Sequence, residues 1–259
     1  MNKINSILII IFTLFIVSSC SHKERNNEWN TIFDKYNASG TFVLKNTSTN
    51  TIKIFNKERC DRAFLPASTF KILNSLISLQ THVIKDVNDT IKWDGIDRGW
   101  SKWNMDQTMK TAMPLSCVWF YQELARRIGK DRMQYWIEEC DYGNKKLGKE
   151  IDNFWLEGDI RISAKEQVYF LEKLVNNELS FDSQIQEKVK QIMITDSTKD
   201  YVIHSKTGWS KNIGWNVGYI ENENNIWIFA MNMVLKNTDK AFLRKKITYE
   251  ILKSESVIK

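Results

Sequence analysis

The sequence predicts an α/β fold of the α+β kind. One central antiparallel sheet is built from both chain ends and flanked by terminal helices, with an all-helical subdomain inserted between them. Three observations predict it. Apolar residues alternate with a period of two only near residues 41–55 and again over 202–234. Between those stretches they recur at helical spacing. Only Pro66 and Pro114 break the chain as prolines, and no Gly/Pro-rich linker or internal repeat divides it.

The elements follow in order. Trp29, Ile32, Phe33 and Tyr36 lie on one face of a short N-terminal helix. Thr41 to Leu44 and Thr51 to Phe55 read as strands around a polar turn. A helix is expected from about Ser68 to Gln80, with Phe70, Leu73 and Ile77 inward. Another starts near Ser116 and stops at Gly129, and a third runs from Asp131 to Glu139. Ser163 with Glu166 forms a capping box for a fourth, and a fifth spans roughly Ser183 to Met193. Val202 to Thr207 is a strand, and Asn216 to Ile220 and Ile226 to Val234 form a hairpin. A last helix carries Leu243, Ile247 and Ile251 on one face. A cleft between sheet and helical subdomain is the default site.

The first nineteen residues read as a targeting segment. Lys3 precedes an apolar run from Ile7 to Val17, too short to span a membrane comfortably. Val17-Ser18-Ser19-Cys20 has the form of a bacterial lipobox, so Cys20 is the expected lipidation site. Residues 1–19 are then a signal peptide, 20–28 a tether and 29–259 one domain, with its helical subdomain over roughly 66–195. The expected location is outside the cytoplasm, periplasmic and held to a membrane only through the N-terminal lipid.

The composition is that of a globular protein, with 42% hydrophobic and 26% charged residues. The net charge of +6 is spread along the chain without a basic block, which argues against a nucleic-acid partner but favours anionic ligands. His22, His82 and His204 lack metal-ligand spacing and there is no C-x-x-C, so no metal is expected. With Cys20 lipidated, Cys60, Cys117 and Cys140 allow at most one internal disulfide. No obligatory protein partner is implied.

Three short motifs carry chemistry. In Ser68-Thr69-Phe70-Lys71 a helical spacing of three brings a lysine to a serine that needs a base to become a nucleophile. Taken alone the pattern is weak, since Ser256-Val257-Ile258-Lys259 matches it by chance. Ser116-Cys117-Val118 also follows a proline by two residues and reads as the start of a helix. Lys206-Thr207-Gly208 on a late strand offers a charge, a hydroxyl donor and close backbone approach, a good edge for an anion. Each has a bland reading as a cap, a surface lysine or a strand end.

Together and in this order, they resemble the active-site triplet of the penicillin-recognising serine enzymes. Ser116-x-Val118 in place of S-D-N, with Tyr142-Gly143-Asn144, Phe154-Trp155-Leu156 and Leu243-Arg244-Lys245, resembles the class D β-lactamases. The resemblance spans the chain from about Trp29 onward. It implies β-lactam hydrolysis through an acyl-enzyme on Ser68, with the N–H groups of Ser68 and Trp209 as oxyanion hole. It implies that Lys71 captures CO₂ as a carbamate (N6-carboxylysine), held by Trp155, so that bicarbonate is needed but no other cofactor. Phe70, Val118, Trp155 and Leu156 would wall the lysine from water. Ser116 would relay protons, Lys206, Thr207, Gly208 and Arg244 would bind the drug's carboxylate, and Tyr142-Gly143-Asn144 would shape the cleft. Two relatives remain open alternatives: a β-lactam sensor that keeps its acyl group, and a cell-wall peptidase. A third is a non-catalytic lipoprotein.

Overall fold

The protein is described by a computed structural model covering residues 28–223 and 225–259. The expected signal peptide, Cys20 and all of the tether but its last residue lie outside these. Among the described residues no helix is long and apolar enough to cross a membrane.

A helix over residues 28–35 (α1) is followed by strands β1 (Gly40–Asn46) and β2 (Thr51–Phe55) and a short helix α2 (Lys57–Asp61). A 3₁₀ turn at Ala67–Phe70 runs straight into α3 (Lys71–Gln80). Then come α4 (Met109–Leu115), α5 (Val118–Ile128), α6 (Lys130–Glu139), α7 (Ala164–Val175) and α8 (Ser183–Ile192). Strands β3 (Ile194–Ser197), β4 (Tyr201–Ser210), β5 (Ile213–Asn222) and β6 (Asn225–Val234) and helix α9 (Leu243–Ser254) complete the chain.

The six strands form one antiparallel sheet in the order β2-β1-β6-β5-β4-β3. β1 lies against β6, with Val43 opposite Ala230, so the two chain ends are knitted at the sheet's centre. Strand β5 is buried from Ile213 to Ile220, on both faces. Trp215, Val217 and Tyr219 enter the core shared with the helical middle, and Ile220 enters the core under α1 and α9. That second core is closed by Leu243, Ile247 and Ile251 of α9, with Trp29 edge-on to Phe42 at 5.2 Å. In β5 the small or polar Gly214, Asn216 and Gly218 alternate with Ile213, Trp215, Val217 and Tyr219, so the strand keeps its period of two while both faces are buried.

The expected fold class holds, and several elements differ in detail. Ser68 sits in the 3₁₀ turn ahead of α3 rather than at the start of an α-helix. Ser116 does not open a helix: it is the left-handed C-cap of α4 (φ 54°), and α5 starts at Val118 with Cys117 as its cap. Pro114 lies within the last turn of α4. β4 continues past Thr207 to Ser210, and the edge strand β3, with a register shift at its start, lies outside the expected elements. Ser163 and Glu166 do form a capping box, and Gly129 ends α5. Cys60, Cys117 and Cys140 are buried free thiols.

Candidate active site

The turn carrying Ser68 is pinned from three directions. Trp215 Nε1 donates to Leu65 O at 2.8 Å, the Ala67 N–H donates to Trp155 O at 2.9 Å, and Thr69 Oγ1 donates to Pro66 O at 2.7 Å. These bonds hold Ala67 in the left-handed region, φ 50°, a conformation that costs an L-residue about 1–2 kcal/mol. The result presents Ser68 at the surface of the turn, 7% exposed, while Lys71 behind it is wholly buried.

Lys71 Nζ lies 2.8 Å from Ser68 Oγ. Burial lowers the lysine's pKa from 10.5 to about 7, Cys117 opposing it slightly. Its surroundings are aromatic. Phe70 stacks on Trp155 with ring centres 5.7 Å apart, and the Tyr121 ring centre is 5.3 Å from Nζ. Ser75 holds Tyr121, its Oγ donating to Lys71 O at 2.8 Å and lying 3.1 Å from the phenol oxygen. Trp155 is fully buried, and its indole N–H has no hydrogen-bond partner among the described residues. An orphaned donor of this kind costs about 1–3 kcal/mol. Val118 and Leu156, expected in the wall, are only half-buried.

Ser116 reaches the same place from the α4–α5 junction. Lys206 Nζ donates to Ser116 Oγ at 2.7 Å and to Thr207 O at 2.9 Å. The left-handed kink at Ser116 is what turns the chain from α4 into α5 at this point. Beyond it, β3 pairs with β4 only as far as Ile194 opposite His204, and the Ser205 N–H donates to Met193 O. Lys206 to Ser210 therefore has a strand partner only on the β5 side, among the described residues. The outer edge of β4 is left open for a ligand backbone.

Gly208 owes its identity to the Ser68 turn. A Cβ there would lie 3.1 Å from Pro66 O, 3.2 Å from Thr69 Cγ2 and 3.3 Å from the Ala67 methyl. Trp209 is 39% exposed and its indole donates to Leu235 O at 3.2 Å. Arg244, on the first turn of α9, donates to Gly208 O at 2.7 Å and to Ala241 O at 2.8 Å. Burial lowers its pKa to about 10. Burial, and then the charges of Lys71, Arg244 and Lys245, push Lys206 well below its ordinary value. No carboxylate offsets these cations among the described residues, so the cleft is prepared for an anion.

Tyr142-Gly143-Asn144 acts at one remove. Asn144 receives the Arg161 N–H at 2.9 Å and donates to Asp159 O at 2.9 Å, fixing the strap that bridges to Phe64 at Ile162. Gly143 has φ 56° and a Cβ there would lie 2.1 Å from Arg161 O. Tyr142 is buried, with its hydroxyl 3.4 Å from Gln167 Nε2. Gln167 also donates to Thr69 Oγ1 at 2.8 Å, and Ser210 Oγ donates to Leu156 O. Gln167, Tyr121 and Ser75 belong to the site's surroundings and carry no local sequence signal. Among the described residues no cluster of His, Cys, Asp or Glu is arranged to hold a metal.

Comparison with known proteins agrees with this geometry. Residues 23–253 match the family "Penicillin binding protein transpeptidase domain". The chain is 45% identical over 239 residues to beta-lactamase OXA-48 of Klebsiella pneumoniae, covering 91% of this chain and 90% of that one. It is 38% identical over 257 residues to beta-lactamase OXA-10 of Pseudomonas aeruginosa, covering 96% and 97%. The crystal structure of FUS-1 (OXA-85), a class D β-lactamase from Fusobacterium nucleatum, superposes with a TM-score of 0.88 at 38% identity, covering 90% of this chain and 99% of that one. With identities of this size over nearly the whole length, and the serine–lysine pair and Lys-Thr-Gly edge in place, the chain belongs to the class D serine β-lactamases.

Proposed function

We propose that the protein hydrolyses β-lactam antibiotics and so confers resistance to them. The observation that carries this reading is Lys71: a wholly buried amine, 2.8 Å from a serine hydroxyl, with no acid beside it among the described residues. A lysine with a pKa near 7 is neutral in a large share of molecules at neutral pH, and it is the neutral amine, with its free lone pair, that attacks CO₂. The orphaned Trp155 N–H fits a carbamate, which would supply a base for both acylation and deacylation.

Ser68 Oγ attacks the lactam carbonyl, and the ring C–N bond breaks as the acyl-enzyme forms. The N–H groups of Ser68 and Trp209 receive the developing oxyanion, donors each worth roughly 3–4 kcal/mol. Ser116 passes a proton to the departing nitrogen, with Lys206 oriented behind it. The drug's carboxylate meets Lys206, Thr207 and Arg244, with Gly208 giving close approach and Val118 and Leu156 lining the mouth. Residues 29–259 form the one catalytic domain, its helical subdomain over roughly 66–195. Residues 1–19 direct export, and lipidated Cys20 holds the enzyme at a membrane on the periplasmic side. Recovery of a Cys20→Ser protein in the soluble fraction would support that anchor; unchanged membrane fractionation would remove it.

Intact-mass measurement during reaction with a penicillin, with and without bicarbonate, tests the function. A transient adduct on Ser68, faster substrate loss with bicarbonate, and no adduct in Ser68→Ala are expected. A long-lived adduct without turnover would make the protein a sensor or a peptidase relative instead.

A further inference from the structure

The open edge of β4 leads into space that the carboxylate site does not use. A cavity of about 220 Å³ continues beyond Lys206 and Thr207, between the end of α4, the end of α8 and the first turns of α9. Pro114 and Ile192 form its apolar walls, and Thr195, Ser205 and Lys245 its polar ones. Thr195 Oγ1 and Ser205 Oγ lie 2.8 Å apart. No aspartate or glutamate among the described residues lines it. Pro114, Ile192 and Ile194 also line a second cavity of about 480 Å³, so the groove at Lys206 adjoins it past α8. Lys110 and Lys188 stand along the outer part with Glu187, and Lys188 is paired with Asp86 at 2.8 Å, so the charge there is largely balanced.

Substrate chemistry fixes what would enter this groove. When the lactam carbonyl is at Ser68, the ring nitrogen lies toward Ser116, and the carbon bearing the carboxylate is bonded to that nitrogen. In a cephalosporin the next ring carbon carries the 3-substituent. That group therefore projects past Lys206 and Thr207, on the side away from Ser68. Its first surroundings are Pro114, Ile192 and the Lys245 ammonium.

We infer that this groove is a subsite for the leaving-side substituent of the β-lactam, and that Lys245 makes it selective for substituents carrying a negative charge. The inference rests on the hydrolase reading and adds a substrate preference to it. The Lys245 ammonium on a wall with no inner acid among the described residues favours a carboxylate or sulfonate and opposes a quaternary ammonium. Lys245 differs from Lys246, its neighbour on α9, in position: the Lys246 ammonium lies over the Tyr36 ring, 5.4 Å from its centre.

The test is competition. Two cephalosporins that share their acyl side chain and differ only in a sulfonate-bearing or a neutral 3-substituent are mixed with the enzyme, and adducts and products are counted by mass spectrometry. The anionic drug is expected to win by about fivefold at low ionic strength, and the advantage to shrink as salt is added. Lys245→Gln should abolish the preference and Lys245→Glu reverse it, both still consuming the neutral drug. Lys246→Gln, which removes the same charge elsewhere, should keep the preference. Equal consumption of the two drugs by the unaltered enzyme, or equal loss of preference in Lys246→Gln, would overturn the inference while leaving hydrolysis standing. Adducts that form and persist would sink the hydrolase reading alone, because the adduct ratio still reports the preference. No adduct on Ser68 with either drug would sink both.

Discussion

Gln167 Nε2 donates to Thr69 Oγ1 at 2.8 Å, joining α7 to the residue next to Ser68. Thr69 in turn donates to Pro66 O, so the amide orients the hydroxyl that closes the Ser68 turn. Gln167→Leu fills nearly the same volume without the donor. Loss of one buried hydrogen bond costs about 1–3 kcal/mol. The expected outcome is a kcat lower by about tenfold with KM little changed, because the turn loosens while the carboxylate site stays intact. Steady-state kinetics separates the two; a change confined to KM would place Gln167 in substrate binding.

Gly208→Ala puts a methyl where Pro66 O, Thr69 and Ala67 already stand within 3.3 Å. Strand β4 and the Ser68 turn must separate by a few tenths of an ångström, and the Trp209 N–H moves with the strand. The expected loss in kcat/KM is between about tenfold and a hundredfold, with a small drop in melting temperature. Kinetics at unchanged fold, checked by circular dichroism, reads this directly.

The pH dependence follows from Lys71. Its pKa in the folded protein is about 7, against 10.5 when exposed. In CO₂-depleted buffer the unfolded chain binds more protons at this residue between those values, so its contribution to stability rises with pH from about 7 to about 10.5. Below about 7 the full penalty of a buried ammonium is present. Lys71→Met should therefore raise the melting temperature at neutral pH while abolishing activity, by roughly 2–4 °C for each kcal/mol relieved. Capture of ¹³C-bicarbonate by the unaltered protein, followed by NMR, should fall as pH drops through about 7.

Trp155→Phe retains an aromatic ring against Phe70 and removes the orphaned N–H. A hydrogen bond to a charged group contributes about 1.5–3 kcal/mol, so the bicarbonate needed for half-maximal activity should rise by about tenfold or more. High bicarbonate should restore turnover. An unchanged bicarbonate requirement would mean that the indole N–H has another role.

Much of this site was legible because its chemistry is written in local spacing. Ser68 and Lys71 share one turn, and Lys206, Thr207 and Gly208 share one strand edge, so the residue types predict their juxtaposition. The rest depends on distant contacts. Gln167 is 98 positions from Thr69, and nothing in a Ser-Ala-Lys-Glu-Gln helix start points to the nucleophile. Ser116 reads as the start of a helix because a proline just upstream suggests a helix beginning; here Pro114 closes the preceding helix, and the serine caps its C-terminus in a left-handed conformation that its identity does not announce. β3 escaped notice because four residues with a register shift carry too short an alternation. Lys245 is legible as a neighbour of Arg244 in Leu243-Arg244-Lys245, but its place beside Lys206 waits on the docking of α9 against the sheet.

The pairing of β1 with β6 has a consequence for how the molecule comes into being. Gly40 meets Met233 and Asn46 meets Trp227, contacts spanning most of the chain. Such long-range pairings are slow to form, since the intervening loop must be closed before any contact rewards it. A growing chain that ends after α8 already holds Ser68, Lys71 and Ser116, yet β1 has only β2 beside it. The reacting groups are synthesised first and assembled last, so the molecule acquires its chemistry in a single late step, after nearly all of its length has been made.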